Sequence, residues 1–343
     1  MIQVGLGRWG WGWIPIVSES PQWELVGLVD IDKSKLNKAC EHYNFESELT
    51  FSTLDSALKV VEADAALIVV PPEAHADITI DAIKKGLHCI VEKPIASKIK
   101  DAQDMVEFAL RNQRKLMVSQ NYRFRRAPRT VRHLLQRGVI GEVGTVYVNF
   151  QKAPSFSGFR TKMAEPLITD MAIHHFDQMR GILGLEPARI MGYSWNPKWS
   201  WFTGNAVALV LIEMSNGAII NYTGSWVTRG WETTWDGDWH IQGDGGEIYW
   251  ANNEIIIRPT DISKMVFTKG ALETHKEMRA DLVELPAEDR GGVLLEFASA
   301  IRDDGEPETS GKDNIKSLAM VIGACMSIES NRSINIEEVI NGD

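Results

Sequence analysis

Short apolar runs and amphipathic helical patterns alternate through the first 120 residues, and this alternation most restricts the fold. The runs "IQV", "WELVGLVD", "DAALIVV", "LHCIVE" and "KLMVSQ" are each followed by a loop or a helical pattern. A continuous run such as "DAALIVV" is typical of a strand that is buried on both faces of a parallel sheet. Strands that alternate with helices form such sheets through right-handed crossovers. The pattern therefore predicts an N-terminal α/β domain with a parallel sheet.

A glycine-rich loop follows the first run, in the segment "VGLGRWGWGWIP". Gly5, Gly7 and Gly10 form the pattern G-x-G-x-x-G between a strand and a helix. In this pattern the first glycine permits a tight turn, the second lets a pyrophosphate approach the backbone, and the third lets helix and strand pack closely. The N–H groups at the head of the helix would then bind the phosphates. The loop predicts a dinucleotide-binding Rossmann domain.

Asp30 ends the next strand and bears on the choice of dinucleotide. A carboxylate at this place can accept both ribose hydroxyls of NAD, and it would repel the extra phosphate of NADP. We therefore expect NAD rather than NADP. Pro15 interrupts the helical pattern and predicts a kink or a later start. Trp9, Trp11 and Trp13 are expected to pack between the helix and a neighbouring element rather than to stack on a base.

The pattern changes after residue 120. The helical segment "APRTVRHLLQRG" precedes the alternating strands "GTVYVNFQ", "ARIMGYSW", "AVALVLIEM" and "AIINYTGSW". Asn216–Gly217 separates the last two and is a strong hairpin signal. The tail segments "GGVLLEFASAIRDD" and "NIKSLAMVIGACMSIES" are helical in pattern. We predict a Rossmann domain over residues 1–120 and an α+β domain with an open, mostly antiparallel sheet over residues 121–343.

Three motifs in this order carry a resemblance to a known family. The glycine loop, the segment "PPEAHADITIDAIKKGLHCIVEKPIA" and the segment "DMAIHHFD" resemble the glucose–fructose oxidoreductase and inositol dehydrogenase family. The resemblance extends over nearly the whole chain and is strongest through residue 180. It implies a Rossmann domain followed by an open-sheet domain, NAD or NADP as cofactor, a sugar, cyclitol or related polyol as substrate, and a homodimer or homotetramer formed through the exposed sheet face.

The resemblance also implies roles for individual residues. Lys93 corresponds to the active-site lysine of the family, where an ammonium group can stabilise negative charge on the reacting oxygen. His174 would accept the hydroxyl proton, since an imidazole titrates near neutral pH. Asp170 would orient the ring or contact the substrate. The predicted catalytic residues are Lys93, Asp170 and His174. The predicted cofactor contacts are Gly5, Gly7, Arg8, Trp9, Gly10, Asp30, Pro71, His75, Glu92 and Lys93. The predicted substrate contacts are Lys93, Tyr122, Arg123, Asp170 and His174.

Two patterns leave their interpretation open. His175 and Asp177 follow His174 closely, so "DMAIHHFD" could hold a metal, but its spacing differs from H-E-x-x-H and we expect none. The segment "WVTRGWETTWDGDWH" has tryptophans that could stack on sugar rings or pack in a core or a subunit interface.

Composition excludes some classes of partner. The net charge of −10 argues against nucleic acid, whose phosphates would repel an acidic surface. The longest apolar run, "AVALVLI", is too short to span a bilayer. Cys40, Cys89 and Cys325 are too widely spaced for a zinc motif or a disulfide framework. With the glycine loop beginning at residue 5, no signal peptide is expected, and a reducing cytoplasm fits.

These patterns predict an oxidoreductase that transfers hydride between a nicotinamide and a carbinol of a sugar, cyclitol or related polyol. The alternatives are a protein that senses dinucleotide or sugar without turnover, a lyase that oxidises its substrate transiently with NAD, and a metal-dependent hydrolase or lyase centred on residues 170–177. The sequence leaves open which polyol is used, in which direction, and the oligomeric state.

Overall fold

The computed structural model describes residues 1–260 and 276–342. The strands are β1 (Ile2–Val4), β2 (Gly27–Val29), β3 (Thr50–Phe51), β4 (Ala65–Ile68), β5 (His88–Glu92), β6 (Leu116–Ser119), β7 (Val143–Gln151), β8 (Pro187–Trp195), β9 (Val207–Met214), β10 (Ile219–Ser225), β11 (Asp238–Gly243), β12 (Gly246–Ala251), β13 (Glu254–Pro259), β14 (Met278–Ala280) and β15 (Ile334–Asn335). The helices are α1 (Arg8–Trp11), α2 (Ile14–Ser18), α3 (Lys33–Tyr43), α4 (Leu54–Ala57), α5 (His75–Lys84), α6 (Ile99–Arg111), α7 (Arg126–Gln136), α8 (Ile173–Leu183), α9 (Asp289–Arg302), α10 (Gly311–Ser330) and α11 (Ile336–Asn341).

The chain divides into two compact units. The first contains residues 1–124 and 286–318, and the second contains residues 125–285 and 319–343. Our single predicted boundary at residue 120 differs from this division, because a C-terminal segment that we had placed in the second domain returns to the first. The returning segment includes α9.

The first unit is built on a six-stranded parallel sheet in the order β3-β2-β1-β4-β5-β6. The strand order reverses between β1 and β4, and in such sheets ligands bind beyond the carboxyl ends of the strands at this point. Residues of β4 are fully buried, as expected for a strand covered on both faces. The predicted parallel α/β domain is confirmed.

Helix α9 supplies part of the core of the first unit. Val293, Leu294 and Phe297 are buried in the same cluster as residues of β2, β4, β5 and β6. The Trp23 ring stacks on Phe297 with 5.7 Å between ring centroids, and its indole N–H donates to the Leu294 carbonyl at 2.9 Å. These contacts explain why α9 belongs to this unit although it is distant in sequence.

The helix after the glycine loop is interrupted, as Pro15 predicted. Helix α1 ends at Trp11, and α2 begins at Ile14 with Pro15 in its first turn, where the missing N–H costs nothing. Among the three tryptophans of this region, Trp13 is fully buried and packs in the core.

The second unit contains a nine-stranded mixed sheet in the order β14-β13-β12-β11-β7-β10-β9-β8-β15. The β7–β10 pair is parallel and the other pairs are antiparallel, so the prediction of a mostly antiparallel sheet is confirmed. The β9–β10 hairpin turns at Asn216–Gly217, where Gly217 has φ +86°. One sheet face is buried, and on the other Tyr147, Tyr193 and Leu211 are exposed.

The tryptophan-rich segment divides between core and surface. Trp226 and Trp239 are buried, and Trp239 stacks on Trp250 with centroids 5.4 Å apart. Trp231 is 96% exposed and Trp235 is 40% exposed. Packing in the core therefore accounts for Trp226 and Trp239 but not for Trp231 and Trp235.

Candidate active site

The three glycines of the loop occupy different surroundings. Gly5 has φ +99°, and a Cβ there would lie 2.3 Å from the Val69 carbonyl oxygen. A Cβ on Gly10 would lie 2.2 Å from the Gly5 carbonyl oxygen. A Cβ on Gly7 would meet no atom within 4 Å. Gly5 and Gly10 are therefore required by the fold itself, whereas Gly7 faces open space beside the backbone.

Two buried side chains hold this loop in shape. The Gln3 amide, which is fully buried, donates to the carbonyls of Gly5 at 3.2 Å and Gly10 at 2.7 Å. The Asp30 carboxylate accepts the Leu6 N–H at 2.7 Å, and its other oxygen accepts the Asp32 N–H at 2.8 Å. The Lys35 ammonium lies 3.5 and 3.4 Å from the same two oxygens, so a ligand hydroxyl that bound Asp30 would share or displace this contact. The sequence analysis missed Gln3, whose polar side chain inside a buried strand was the available signal.

Glu92 anchors the loop that carries Lys93. Its Oε1 accepts the indole N–H groups of Trp9 at 2.8 Å and Trp13 at 2.7 Å, and its Oε2 accepts the Lys93 backbone N–H at 3.1 Å. Burial raises the pKa of the Glu92 carboxyl, and the two indole hydrogen bonds oppose this shift. We predicted Glu92 and Trp9 as cofactor contacts; in the structure the Glu92 carboxylate and the Trp9 indole N–H bind each other, because a buried carboxylate needs donors.

Arg290, from α9, adds a cation to this cluster. Its guanidinium lies 5.2 Å from the Trp9 ring centroid and 5.3 Å from that of Trp13, and it donates to the Gly12 carbonyl at 3.0 Å. Cation–π contacts of this kind fix aromatic side chains. No local sequence signal links Arg290 to the loop, since 278 residues separate it from Gly12.

His75 fixes the other side of the Lys93 loop. Its Nδ1 lies 2.8 Å from the Pro94 carbonyl oxygen and its Nε2 lies 2.9 Å from that of Val70. The side chain is fully buried, and burial lowers the pKa of the imidazole. We predicted His75 as a cofactor contact, and this stays a prediction; in the structure both ring nitrogens lie beside backbone carbonyl oxygens of two loops. Pro71 and Arg8 are exposed beside these loops.

In the second unit, Asp170 lies in the helical segment just before α8, and His174 lies in the first turn of α8. The predicted α-helical spacing is altered, because Leu167–Ala172 is a π-helix that runs directly into α8. Such wide turns occur frequently at functional sites. The Asp170 carboxylate accepts from Arg160 Nε at 2.5 Å, a partner that the sequence analysis missed. His174 is 7% exposed.

The side chains of His175 and Asp177 contact different residues and do not converge on a common point. His175 Nδ1 lies 3.1 Å from the Tyr222 hydroxyl, and its Nε2 lies 2.9 Å from the Trp235 carbonyl oxygen. Asp177 is buried 4.0 Å from an Arg180 nitrogen. Across residues 1–260 and 276–342, no group of three or more His, Cys, Asp or Glu side chains could hold a metal ion. The alternative of a metal centre at residues 170–177 therefore gains no support from the geometry.

Comparison with known families agrees with this arrangement. Residues 2–120 match a model described as "Oxidoreductase family, NAD-binding Rossmann fold", and residues 129–249 match the "GFO/IDH/MocA C-terminal domain". Together the two matches include more than half of the chain. The chain belongs to the GFO/IDH/MocA oxidoreductase family.

Similar proteins of this family include sugar and cyclitol dehydrogenases. Inositol 2-dehydrogenase from Rhizobium meliloti is 25% identical over 97% of this chain and 98% of its own length. D-apiose dehydrogenase from Paraburkholderia graminis is 25% identical over 92% of this chain and 84% of its own length. An oxidoreductase from Agrobacterium radiobacter, solved with NAD+, L-tartaric acid and magnesium, has a TM-score of 0.85 at 21% identity, over 98% of both chains, and shows the shared fold.

Membership of the GFO/IDH/MocA family makes the first unit an NAD-binding Rossmann domain. In the described part of the chain, no helix has both the length and the apolar character needed to cross a membrane.

Two predicted substrate contacts occupy the interior of the first unit. Arg123 is 7% exposed and its guanidinium forms an ion pair with Asp313 at 2.9 Å. Tyr122 is 8% exposed. We had predicted that both line a substrate cleft. The returning segment 286–318 supplies the carboxylate that Arg123 requires, and no residue close to Arg123 in sequence indicated this distant partner.

The glycine loop allows a test that separates binding from folding. Gly7→Ala is expected to weaken NAD binding by about 10–100-fold, since its methyl group would occupy space that a phosphate must enter and hydrogen bonds to charged groups contribute about 1.5–3 kcal/mol. Its melting temperature should stay close to that of the parent, because the methyl group meets no protein atom. Gly10→Ala is the matched contrast and should lower the melting temperature. Calorimetric titration with NAD and thermal melts measure both effects.

A buried histidine gives a prediction for stability against pH. Burial lowers the pKa of His175 to about 4. Above pH 6.5 the imidazole is neutral in both the folded and the unfolded state. As the pH falls from about 6.5 to 4, only the unfolded chain takes up the proton, so the free energy of unfolding decreases by up to about 3 kcal/mol. Denaturant titrations at pH 7 and pH 4.5 should show the loss in the parent and a smaller loss in His175→Gln. Equal losses in both proteins would contradict this assignment.

Proposed function

We propose that this protein is an NAD-dependent dehydrogenase that transfers hydride between the nicotinamide and a carbinol carbon of a sugar, cyclitol or related polyol. The observation that carries the proposal is the fixation of Lys93 at the carboxyl end of β5. Glu92 binds its backbone N–H, and His75 binds the Pro94 carbonyl that follows it. A lysine on a loop held from both sides is expected to position its ammonium group reproducibly, which catalysis requires.

The cofactor would be held by the first unit. The loop amides beside Gly7 would bind the diphosphate, and Asp30 would accept the ribose hydroxyls. Bound NAD would serve as the hydride acceptor. Asp30 would favour NAD over NADP because its carboxylate would repel the additional ribose phosphate of NADP, although Lys35, 3.4 Å away, offsets part of that charge.

Three side chains of this chain would assist the transfer. Lys93 would donate a hydrogen bond to the reacting oxygen and stabilise its negative charge. His174 would take the hydroxyl proton. Asp170 would orient the substrate or the His174 ring. The activities for which two relatives are named, inositol 2-dehydrogenase and D-apiose dehydrogenase, support a carbinol substrate.

A direct assay tests the proposal. The purified protein is incubated with NAD and, separately, with NADP, against a panel of sugars, sugar acids and inositols, and the absorbance of the reduced cofactor is followed. We expect reduction of NAD with at least one member of the panel. Binding of NAD with neither reduction nor exchange of deuterium into the substrate would overturn the proposal in favour of a sensor. Deuterium exchange without net reduction would indicate transient oxidation, as in a lyase.

We also propose that the protein is a homodimer or homotetramer. The exposed face of the nine-stranded sheet carries large apolar side chains on neighbouring strands, namely Tyr147, Met191, Tyr193, Trp195, Leu211 and Ile219. Apolar patches of this kind commonly mark subunit interfaces. Light scattering should give a mass of two or four chains. A cytoplasmic location is consistent with three cysteines that are all free thiols.

A further inference from the structure

Arg160 lies directly beside the proposed catalytic carboxylate. It belongs to the short helical segment Gly158–Lys162, and its Nε donates to Asp170 Oδ2 at 2.5 Å. Its guanidinium lies 5.3 Å from the Phe156 ring centroid and 5.0 Å from that of Phe159. The Arg160 side chain is 27% exposed. The guanidinium is therefore held on one edge by Asp170 and near two aromatic rings.

The terminal nitrogens of Arg160 are used differently from those of structural arginines in the same unit. Arg180 pairs two nitrogens with both oxygens of Glu186, at 2.8 and 3.1 Å. Arg126 binds the carbonyls of Val283 and Leu282. Among the described residues, Arg160 makes a hydrogen bond through Nε alone. Its two terminal nitrogens are thus oriented by neighbouring groups and remain available as donors.

A guanidinium with two parallel free donors matches a carboxylate. Arginine binds carboxylates through two parallel N–H···O bonds, and its planar group loses little freedom when it is already fixed. A neutral hydroxyl group can form at most part of this pair of parallel hydrogen bonds. The surrounding charge also matters, because the chain carries a net charge of −10 and Asp170 would repel an anion if Arg160 did not offset it.

We propose that Arg160 binds a carboxylate group of the substrate, so that the preferred substrates are sugar acids or related polyhydroxy carboxylates rather than neutral polyols. This inference rests on the proposed dehydrogenase function and narrows its substrate class. Arg160 thereby determines the substrate specificity, while its Nε remains bound to the Asp170 carboxylate.

Matched substrate pairs test the inference. Aldonates and uronates are compared with the neutral sugars or alditols of the same configuration, using the parent, Arg160→Gln and Arg160→Lys. We expect the parent to show a higher kcat/KM for the acid of each productive pair. Arg160→Gln should reduce kcat/KM for acids by about 10–100-fold, mainly through KM, since a charge-assisted pair is lost. The loss of kcat/KM for neutral partners should be smaller than for acids, because neutral partners lose only the effect of the contact between Arg160 and Asp170, and Arg160→Lys should restore part of the loss for acids. Lys162→Gln, which removes an exposed cation of the same segment, is the control and should resemble the parent.

A binding measurement distinguishes failure of this inference from failure of the proposed function. NAD-loaded protein is titrated with the same acids by calorimetry. Binding of acids that Arg160→Gln abolishes supports the inference even if no turnover is found, in which case the proposed dehydrogenase activity fails alone. Turnover of neutral polyols that equals or exceeds that of acids, or equal losses for both classes in Arg160→Gln, would overturn the inference and leave the dehydrogenase proposal intact. Absence of acid binding would also overturn it.

Discussion

Lys93→Ala is expected to lower kcat by about 10²–10³-fold while the dissociation constant for NAD stays within about twofold of the parent. The ammonium group is proposed to stabilise charge that develops on the reacting oxygen, and the loss of one such donor typically has an effect of this size. The residues proposed to hold the diphosphate and ribose lie elsewhere, in the glycine loop and at Asp30. Steady-state kinetics and calorimetric titration with NAD measure the two quantities independently.

The fold around Lys93 makes this substitution interpretable. The loop is held by the Glu92 carboxylate, which binds the Lys93 backbone N–H, and by His75, which binds the Pro94 carbonyl oxygen. Removing the Lys93 side chain leaves both of these backbone contacts in place, so the loop should keep its position. Lys98→Ala removes an exposed lysine at the start of α6 and should leave kcat unchanged. Retained turnover in Lys93→Ala would exclude the proposed role.

Features of the first unit could be predicted from the sequence where they depend on residues that are adjacent in the chain. Buried strands such as β4 are uniformly apolar, and the glycine pattern between β1 and α1 reflects steric requirements that the structure shows at Gly5 and Gly10. Pro15 predicted a helix break for a reason that is entirely local.

Other features depend on contacts between residues far apart in the chain. The return of residues 286–318 to the first unit depends on packing of Phe297 against Trp23, and the partner of Arg123 is Asp313. Neither contact leaves a periodic trace in the sequence. For the same reason the sequence predicted Glu92 and His75 as site residues but did not predict their partners. Glu92 accepts hydrogen bonds from the indole groups of Trp9 and Trp13, and the ring nitrogens of His75 lie beside two backbone carbonyl oxygens.

The proposed proton acceptor is tested by His174→Gln. This variant is expected to lower kcat by about 10²–10⁴-fold, because a glutamine amide keeps polarity and approximate size but cannot accept a proton at neutral pH. NAD affinity should be preserved, since the residues proposed to bind NAD belong to the first unit. Rapid-mixing measurements of cofactor reduction should place the loss on the chemical step, and a smaller variant, His174→Gly, should regain part of its activity when imidazole is added.

The neighbouring histidine provides the contrast that makes the test specific. His175 is bound to Tyr222 and to the Trp235 carbonyl, so His175→Gln should lower the melting temperature yet leave kcat of the folded protein close to that of the parent. His174→Gln should instead lower kcat of the folded protein. If both variants lost stability alone and retained turnover, the histidine pair would be purely structural, and the proton would have to leave the substrate through another group. The two adjacent imidazoles lie on the same helix, and the two variants therefore compare a proposed catalytic role with a packing role at neighbouring positions.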